Sequence, residues 1–218
     1  MGFGGTQVGT IDEGVRQAVE NCLRVRPTDE AVIITDRQTV EIGSAMKTGV
    51  ERITGAVRVF VMEDFGERPI ELPQEMKEAL LSADVSIYAA QGAKGELATF
   101  RTPMLRTIEA NPKLRHAHMI GINAQIMQDG MCSDYQEIQR ISRLVYDKVR
   151  DARSIRVTTD KGNDFTAEFS PDLRWTVSDG DIQQGHWKNL PDGEVFTSPQ
   201  TVNGTIVIDG CLGDCFAN

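Results

Sequence analysis

The chain has no apolar stretch close to the roughly 20 residues that a bilayer-crossing helix needs. Its N-terminus lacks the basic-then-apolar order of a secretion signal. Met1-Gly-Phe-Gly-Gly-Thr6 satisfies the loose pattern for N-myristoylation, but a Gly-rich chain start is the plainer reading. Cysteine is sparse, with Cys22, Cys132, Cys211 and Cys215 the only four in 218 residues. That density excludes a disulfide scaffold, and the spacing of Cys211 and Cys215 is not that of a zinc knuckle. Reduced thiols in a cytoplasmic protein are therefore expected. Basic charge is in deficit, 23 Lys and Arg against 32 Asp and Glu, for a net charge of −9. A field of that sign repels phosphate backbones, so neither nucleic acid nor membrane is an expected partner. Also missing are Gly-x-x-x-x-Gly-Lys-Ser/Thr, a post-strand Gly-x-Gly-x-x-Gly, Gly-x-Ser-x-Gly and His-Glu-x-x-His. Nucleotide-dependent and serine-nucleophile chemistries thus have no motif behind them.

What remains is an ordinary globular composition, 40% hydrophobic and 25% charged. A compact chain of this length buries roughly 70% of the surface its unfolded form exposes, enough for a real core. The first 150 residues alternate two kinds of pattern. Glu30–Asp36, Val57–Met62, Asp84–Ala90 and Arg115–Ile122 are short apolar or β-branched runs of the kind that form strands covered on both faces. Between them, residues 39–53, 73–83 and 102–110 carry helical spacing, with Pro73 where a helix start tolerates it. Strands alternating with helices predict a parallel sheet with helices on both faces, a Rossmann-like α/β domain over residues 1–150. Residues 133–150 form the longest helical pattern, with Ser133 and Gln136 as a capping box and Ile138, Ile141, Leu144, Val145 and Val149 as the apolar stripe.

From Asp151 the pattern turns antiparallel. Ser154–Thr159 and Asp164–Phe169, joined by Asp160-Lys-Gly-Asn163, predict a hairpin, and Gly204–Gly210 a further strand. Residues 151–218 thus read as the start of a second, antiparallel-rich α+β domain, with too few strands to bury both faces by itself.

Four places can carry chemistry. His116 and His118 alternate along a strand and share a face, which suits either a metal or a helix-covered sheet face. His186 lies in the turn-rich stretch Asp179–Lys188, near enough in sequence to Glu194 to share a site, or serving simply as a packing residue beside Trp187. Asp179 and Asp181 lack the remaining ligands of a calcium loop, so a solvated turn is expected there. Glu194 is the sharpest candidate. Pro191, Gly193 and Pro199 bracket it and Val195-Phe196 follow, so its direction is set by a turn on one side and a packed strand on the other. From spacing alone it is a metal ligand, a base or a structural hydrogen-bond acceptor.

At Asn189-Leu-Pro-Asp-Gly-Glu-Val-Phe-Thr-Ser-Pro199 and Asn203-Gly-Thr-Ile-Val-Ile-Asp-Gly210 the chain resembles the metallo-aminopeptidases of the leucyl aminopeptidase, aminopeptidase T and aminopeptidase S type. Weaker matches run in order through Cys22–Pro27, Ala31–Asp36, Met119–Ile122, Met131–Tyr135 and Ile155–Thr159. The resemblance implies removal of N-terminal residues from peptides at a site holding two divalent cations (cobalt, zinc, magnesium or manganese), in a homodimer. It makes Glu194 the first glutamate ligand. The family's other ligands come from later motifs that are not found here, so the sequence is expected to be the N-terminal part of a longer chain, lacking most of the metal site. An iron-dependent dihydroxypyridine dioxygenase has a similar architecture, and a non-catalytic α/β binding protein is the third reading.

Overall fold

A computed structural model describes residues 9–212 and 215–216. In chain order its elements are α1 (Ile11–Arg16), β1 (Ala31–Thr35), α2 (Val40–Glu51), β2 (Val57–Val61), α3 (Gln74–Ser82), β3 (Val85–Ala90), α4 (Thr102–Glu109), β4 (Arg115–Ile120), α5 (Ala124–Gln128), α6 (Tyr135–Val149), β5 (Ser154–Thr158), β6 (Asp164–Glu168), β7 (Thr176–Ser178), β8 (His186–Asn189), β9 (Glu194–Phe196) and β10 (Thr201–Thr205). The protein is an α/β fold. Five strands form one sheet in the order β2-β1-β3-β4-β8, and every neighbouring pair is parallel.

The expected four strands form where the apolar runs lie, β1, β3 and β4 because both of their faces are covered, while β2 at the sheet edge is only partly buried. All five residues of β1 and all six of β3 are buried. Alternate residues feed two cores. Ile33, Ile87, Ala89, Ala117 and Met119 pack with Val15, Val19, Met46, Val50, Met127 and Met131 from α1, the turn after it, α2 and the α5 region. Val32, Ile34, Tyr88 and Ala90 pack instead with Met76, Leu80, Met104 and Ile108 from α3 and α4. Each large aliphatic side chain so buried contributes about 1.5–3 kcal/mol. The helix at residues 11–16 has no counterpart in the apolar pattern, yet Thr10 and Glu13 cap it reciprocally.

The fifth strand is a departure from the expectation of a loop at 179–188. His186-Trp-Lys-Asn189 has no apolar run, but it pairs residue for residue with Arg115–His118 as the outer strand of the sheet. The chain accordingly divides into two units, residues 1–140 with 178–193, and residues 141–177 with 194–218. A division at residue 150 takes β8 away from its sheet.

In the second unit, β5 and β6 form the expected antiparallel hairpin and β10 adds to β6. The strand expected at Gly204–Gly210 lies earlier than the apolar run predicts. It covers Thr201–Thr205, whereas Ile206 and Ile208 lie beyond it and are exposed. The start of α6 is also shifted. Asp134, not Ser133, caps it, accepting from the Gln136 and Glu137 N–H groups at 3.0 and 3.3 Å. Of the stripe on α6, Ile138 packs on the first core, while Ile141, Leu144 and Val145 are exposed.

Candidate functional site

Glu194 is the first residue of β9 and is exposed. The turn leading to it, Leu190–Gly193, is pinned at several points. The Leu190 N–H continues the β4–β8 pairing by donating to the His118 carbonyl at 3.1 Å. The Leu190–Pro191 peptide is cis. The Asp192 carboxylate accepts from Ser178 Oγ at 2.7 Å, Gly180 N–H at 3.2 Å and its neighbour Gly193 N–H at 3.0 Å. The Asp192 N–H donates to the hydroxyl of Tyr135, a fully buried residue, at 2.9 Å. Burial pushes the Tyr135 phenol up, so that hydroxyl stays neutral. Gly180 is required here. Its φ is +74°, and a Cβ would sit 2.4 Å from the Tyr135 ring. The sequence points to Glu194 but not to Tyr135, Ser178 or Asp192, the residues that hold its turn. The polar triplet Pro191-Asp-Gly193 is the only local signal of that network.

Asp179 and Asp181 do not form a solvated turn. Asp179 is buried, with its carboxylate 2.6 Å from Lys188 Nζ, and Asp181 pairs with Arg24. Burial pushes the Asp181 carboxyl up, but the bonds from Arg24 and Gln183 outweigh it and hold the group below the ordinary carboxylate range. Both acids are committed to ion pairs. His186 opens β8 and is exposed, with its N–H donating to the Gln183 carbonyl at 3.1 Å.

His116 and His118 share a face, as their alternation predicts, and it is the face covered by α3 and α4. His116 is 0% exposed and His118 4%. Ser86 Oγ lies 2.7 Å from His116 Nδ1, and His116 Nε2 lies 3.4 Å from His118 Nδ1. The His118 ring stacks on Tyr88 at 5.0 Å and meets the Trp187 edge at 5.9 Å. Desolvation lowers His118 to about 4, with the nearby Arg101 guanidinium adding to the effect, and lowers His116 well below the ordinary value. The pair is a neutral packing element of the sheet, and among the described residues no carboxylate or thiolate completes a metal set with it.

Among the described residues no group of three His, Cys, Asp or Glu side chains is placed to hold a metal ion. Glu194 contributes one carboxylate, and its neighbour Asp192 is already engaged. Catalytic metals usually need about three protein ligands each. The described residues alone therefore do not fit a two-cation site.

No family profile matches the sequence, and no curated protein matches it. Solved structures do match. The chain is similar to 2,5-dihydroxypyridine dioxygenase from Pseudomonas putida, with a TM-score of 0.61 and 14% identity over 87% of this chain and 56% of that one. It is similar also to AmpT from Thermus thermophilus, with a TM-score of 0.56 and 13% identity over 89% of this chain and 63% of that one. The likeness is one of fold. The chain spans less than two thirds of the length of either neighbour.

A second polar cluster, absent from the motif reading, sits where β1 and β3 end. Open parallel sheets bind ligands at such a point, where the chain continues to opposite sides. Here the protein's own side chains bridge it. The Asp36 carboxylate, on a residue 0% exposed, accepts from the Gln91 N–H at 2.7 Å, the Thr39 N–H at 2.9 Å, Thr39 Oγ1 at 2.8 Å and Arg68 Nη1 at 2.8 Å. Burial pushes this carboxyl up; the bonds from Arg68, Gln91 and Thr39 prevail and hold it below the ordinary range. Glu96 accepts from Arg68 Nε at 2.8 Å and from the Tyr88 hydroxyl at 2.7 Å. Asp36 directly follows the β1 run, which is a local signal; Glu96 lies six residues beyond β3 and carries none. Among the described residues no helix is long and apolar enough to cross a membrane.

Proposed function

We propose that this chain carries part of a metal-dependent aminopeptidase that removes N-terminal residues from peptides, with Glu194 supplying one metal ligand. The supporting observation is the pinned turn before β9. Five hydrogen bonds, from or to Leu190, Asp192 and Gly193, order the backbone immediately before a carboxylate that is left exposed. Ordering a carboxylate's backbone in this way reduces the conformational entropy lost when a cation binds it. The fold likeness to AmpT and the match at Asn189–Pro199 point the same way. The other ligands, the peptide substrate and a homodimeric assembly belong to the same proposal, with the ligands coming from outside the described residues.

The test is hydrolysis of leucine p-nitroanilide by the natural full-length protein, with and without added cobalt, zinc, magnesium or manganese. Glu194→Gln is expected to abolish the metal-stimulated rate and leave the thermal transition in place. An unchanged metal-stimulated rate in Glu194→Gln, or no hydrolysis of any aminoacyl substrate by the wild type, would overturn it. The fold likeness to the dioxygenase favours a second reading, oxidative ring cleavage with ferrous iron. Oxygen uptake with ferrous iron and a dihydroxypyridine distinguishes the two.

A further inference from the structure

We propose that residues 66–73 form a strap over the crevice at the ends of β1 and β3, held shut by the single side chain of Arg68. The guanidinium is shared by three elements. It donates to Asp36 after β1 at 2.8 Å, to Glu96 before α4 at 2.8 Å, and to the Gln91 carbonyl just after β3. Glu63 Oε1 stands 3.7 Å away. The two acids that receive the guanidinium are buried, Asp36 at 0% and Glu96 at 5% exposure.

The rest of the strap is held lightly. Gly66, at φ +105°, sits at one end, and Pro73 precedes α3 at the other. Between them the chain has no helix or strand, Glu67, Ile70 and Glu71 are exposed, and Ile70 is 77% exposed. Leu72 is the one strap residue packed against the core beneath α3 and α4. A segment with few apolar contacts and an exposed backbone opens far more readily than the sheet it covers. The resistance to opening is therefore concentrated in Arg68. Its loss leaves the desolvated Asp36 carboxylate without its ion-pair partner and Glu96 with only Arg101, 4.0 Å away, a state that another cation relieves. The seat is already shaped for a planar guanidinium, so a free guanidinium ion is the chemical class that replaces it.

Hydrogen exchange on the full chain tests this in three forms, wild type, Arg68→Ala and Glu96→Gln. In Arg68→Ala, exchange of the Gln91 and Thr39 amides, which donate to Asp36 beneath the strap, is expected to quicken about tenfold or more, while β4 amides are unchanged. Guanidinium chloride, well below denaturing concentration, should restore protection in that variant, and equal sodium chloride should not. Glu96→Gln, which removes one charge and keeps the shape, should give an intermediate increase and keeps the test alive if Arg68→Ala does not fold. Unchanged exchange of the Gln91 and Thr39 amides in both variants overturns the proposal. So does equal loss of protection through β1, β3 and β4, which would make Arg68 a staple of the whole sheet, and so does rescue by any salt.

Discussion

Acidification should destabilise this protein well before its carboxylates are protonated, because of His116 and His118. The folded pair is neutral, since burial removes the water an imidazolium needs and Arg101 opposes a charge on His118. Glu96 favours that charge, but it is engaged by Arg68 and Tyr88. The hydrogen-bond chain adds a limit of its own. Ser86 can accept from His116, and one ring can donate to the other, but two protonated rings would set N–H against N–H across 3.4 Å. The sign follows from the direction of the shift. A depressed folded pKa gives stability that is whole above the unfolded value of about 6.5 and is lost as pH falls toward the folded one. For His118, with its folded value of about 4, the loss reaches about 3 kcal/mol by the lower end of that window. His116 adds its own contribution. Between about pH 6 and about pH 4.5, stability should fall by about 1.4 kcal/mol per pH unit for each histidine. Asp36 and Asp181 are held below the ordinary carboxylate range and stay charged through this window. Urea unfolding followed by circular dichroism across the window gives the slope, and His118→Gln should roughly halve it. A flat stability profile, or imidazole proton resonances assigned to His116 and His118 in the native protein titrating near the ordinary histidine value, would refute the reasoning.

Two substitutions probe the two units separately. In Gly204→Ala a Cβ would lie 2.2 Å from the Asp164 carbonyl oxygen and 2.6 Å from Phe165 Cα, at a φ of +129°; a loss of about 1–3 kcal/mol is expected, seen as lost exchange protection along β10, and unaltered protection would contradict it. Tyr135→Phe removes the acceptor of the Asp192 N–H inside a fully buried position and should cost about 1–3 kcal/mol by thermal or urea unfolding. An unchanged midpoint would mean that the turn before Glu194 is held without it.

The central sheet is legible in the sequence because burial on both faces leaves continuous apolar runs, as in Ala31–Thr35 and Val85–Ala90. The shared face of His116 and His118 follows from strand alternation in the same way. His186–Asn189 is not legible, because an outer strand is selected by its pairing with Arg115–His118 and not by its own hydrophobicity. The run Ile206–Ile208 misleads for the converse reason. It has strand composition, but the partner residues of β6 are taken by Thr201–Thr205. At the candidate site, the turn chemistry around Glu194 is visible locally. The Tyr135–Asp192 bond and the Asp36–Arg68–Glu96 cluster join residues far apart in sequence, which no local pattern encodes.

That β8 returns to the first sheet after an excursion through the hairpin of the second unit bears on how the protein is made. During vectorial synthesis the outer edge of β4 stays bare until residue 189 leaves the ribosome, so the nascent chain carries an open parallel edge while some 70 further residues are added. Closure is a late, long-range event, and chaperone demand should be concentrated in that interval.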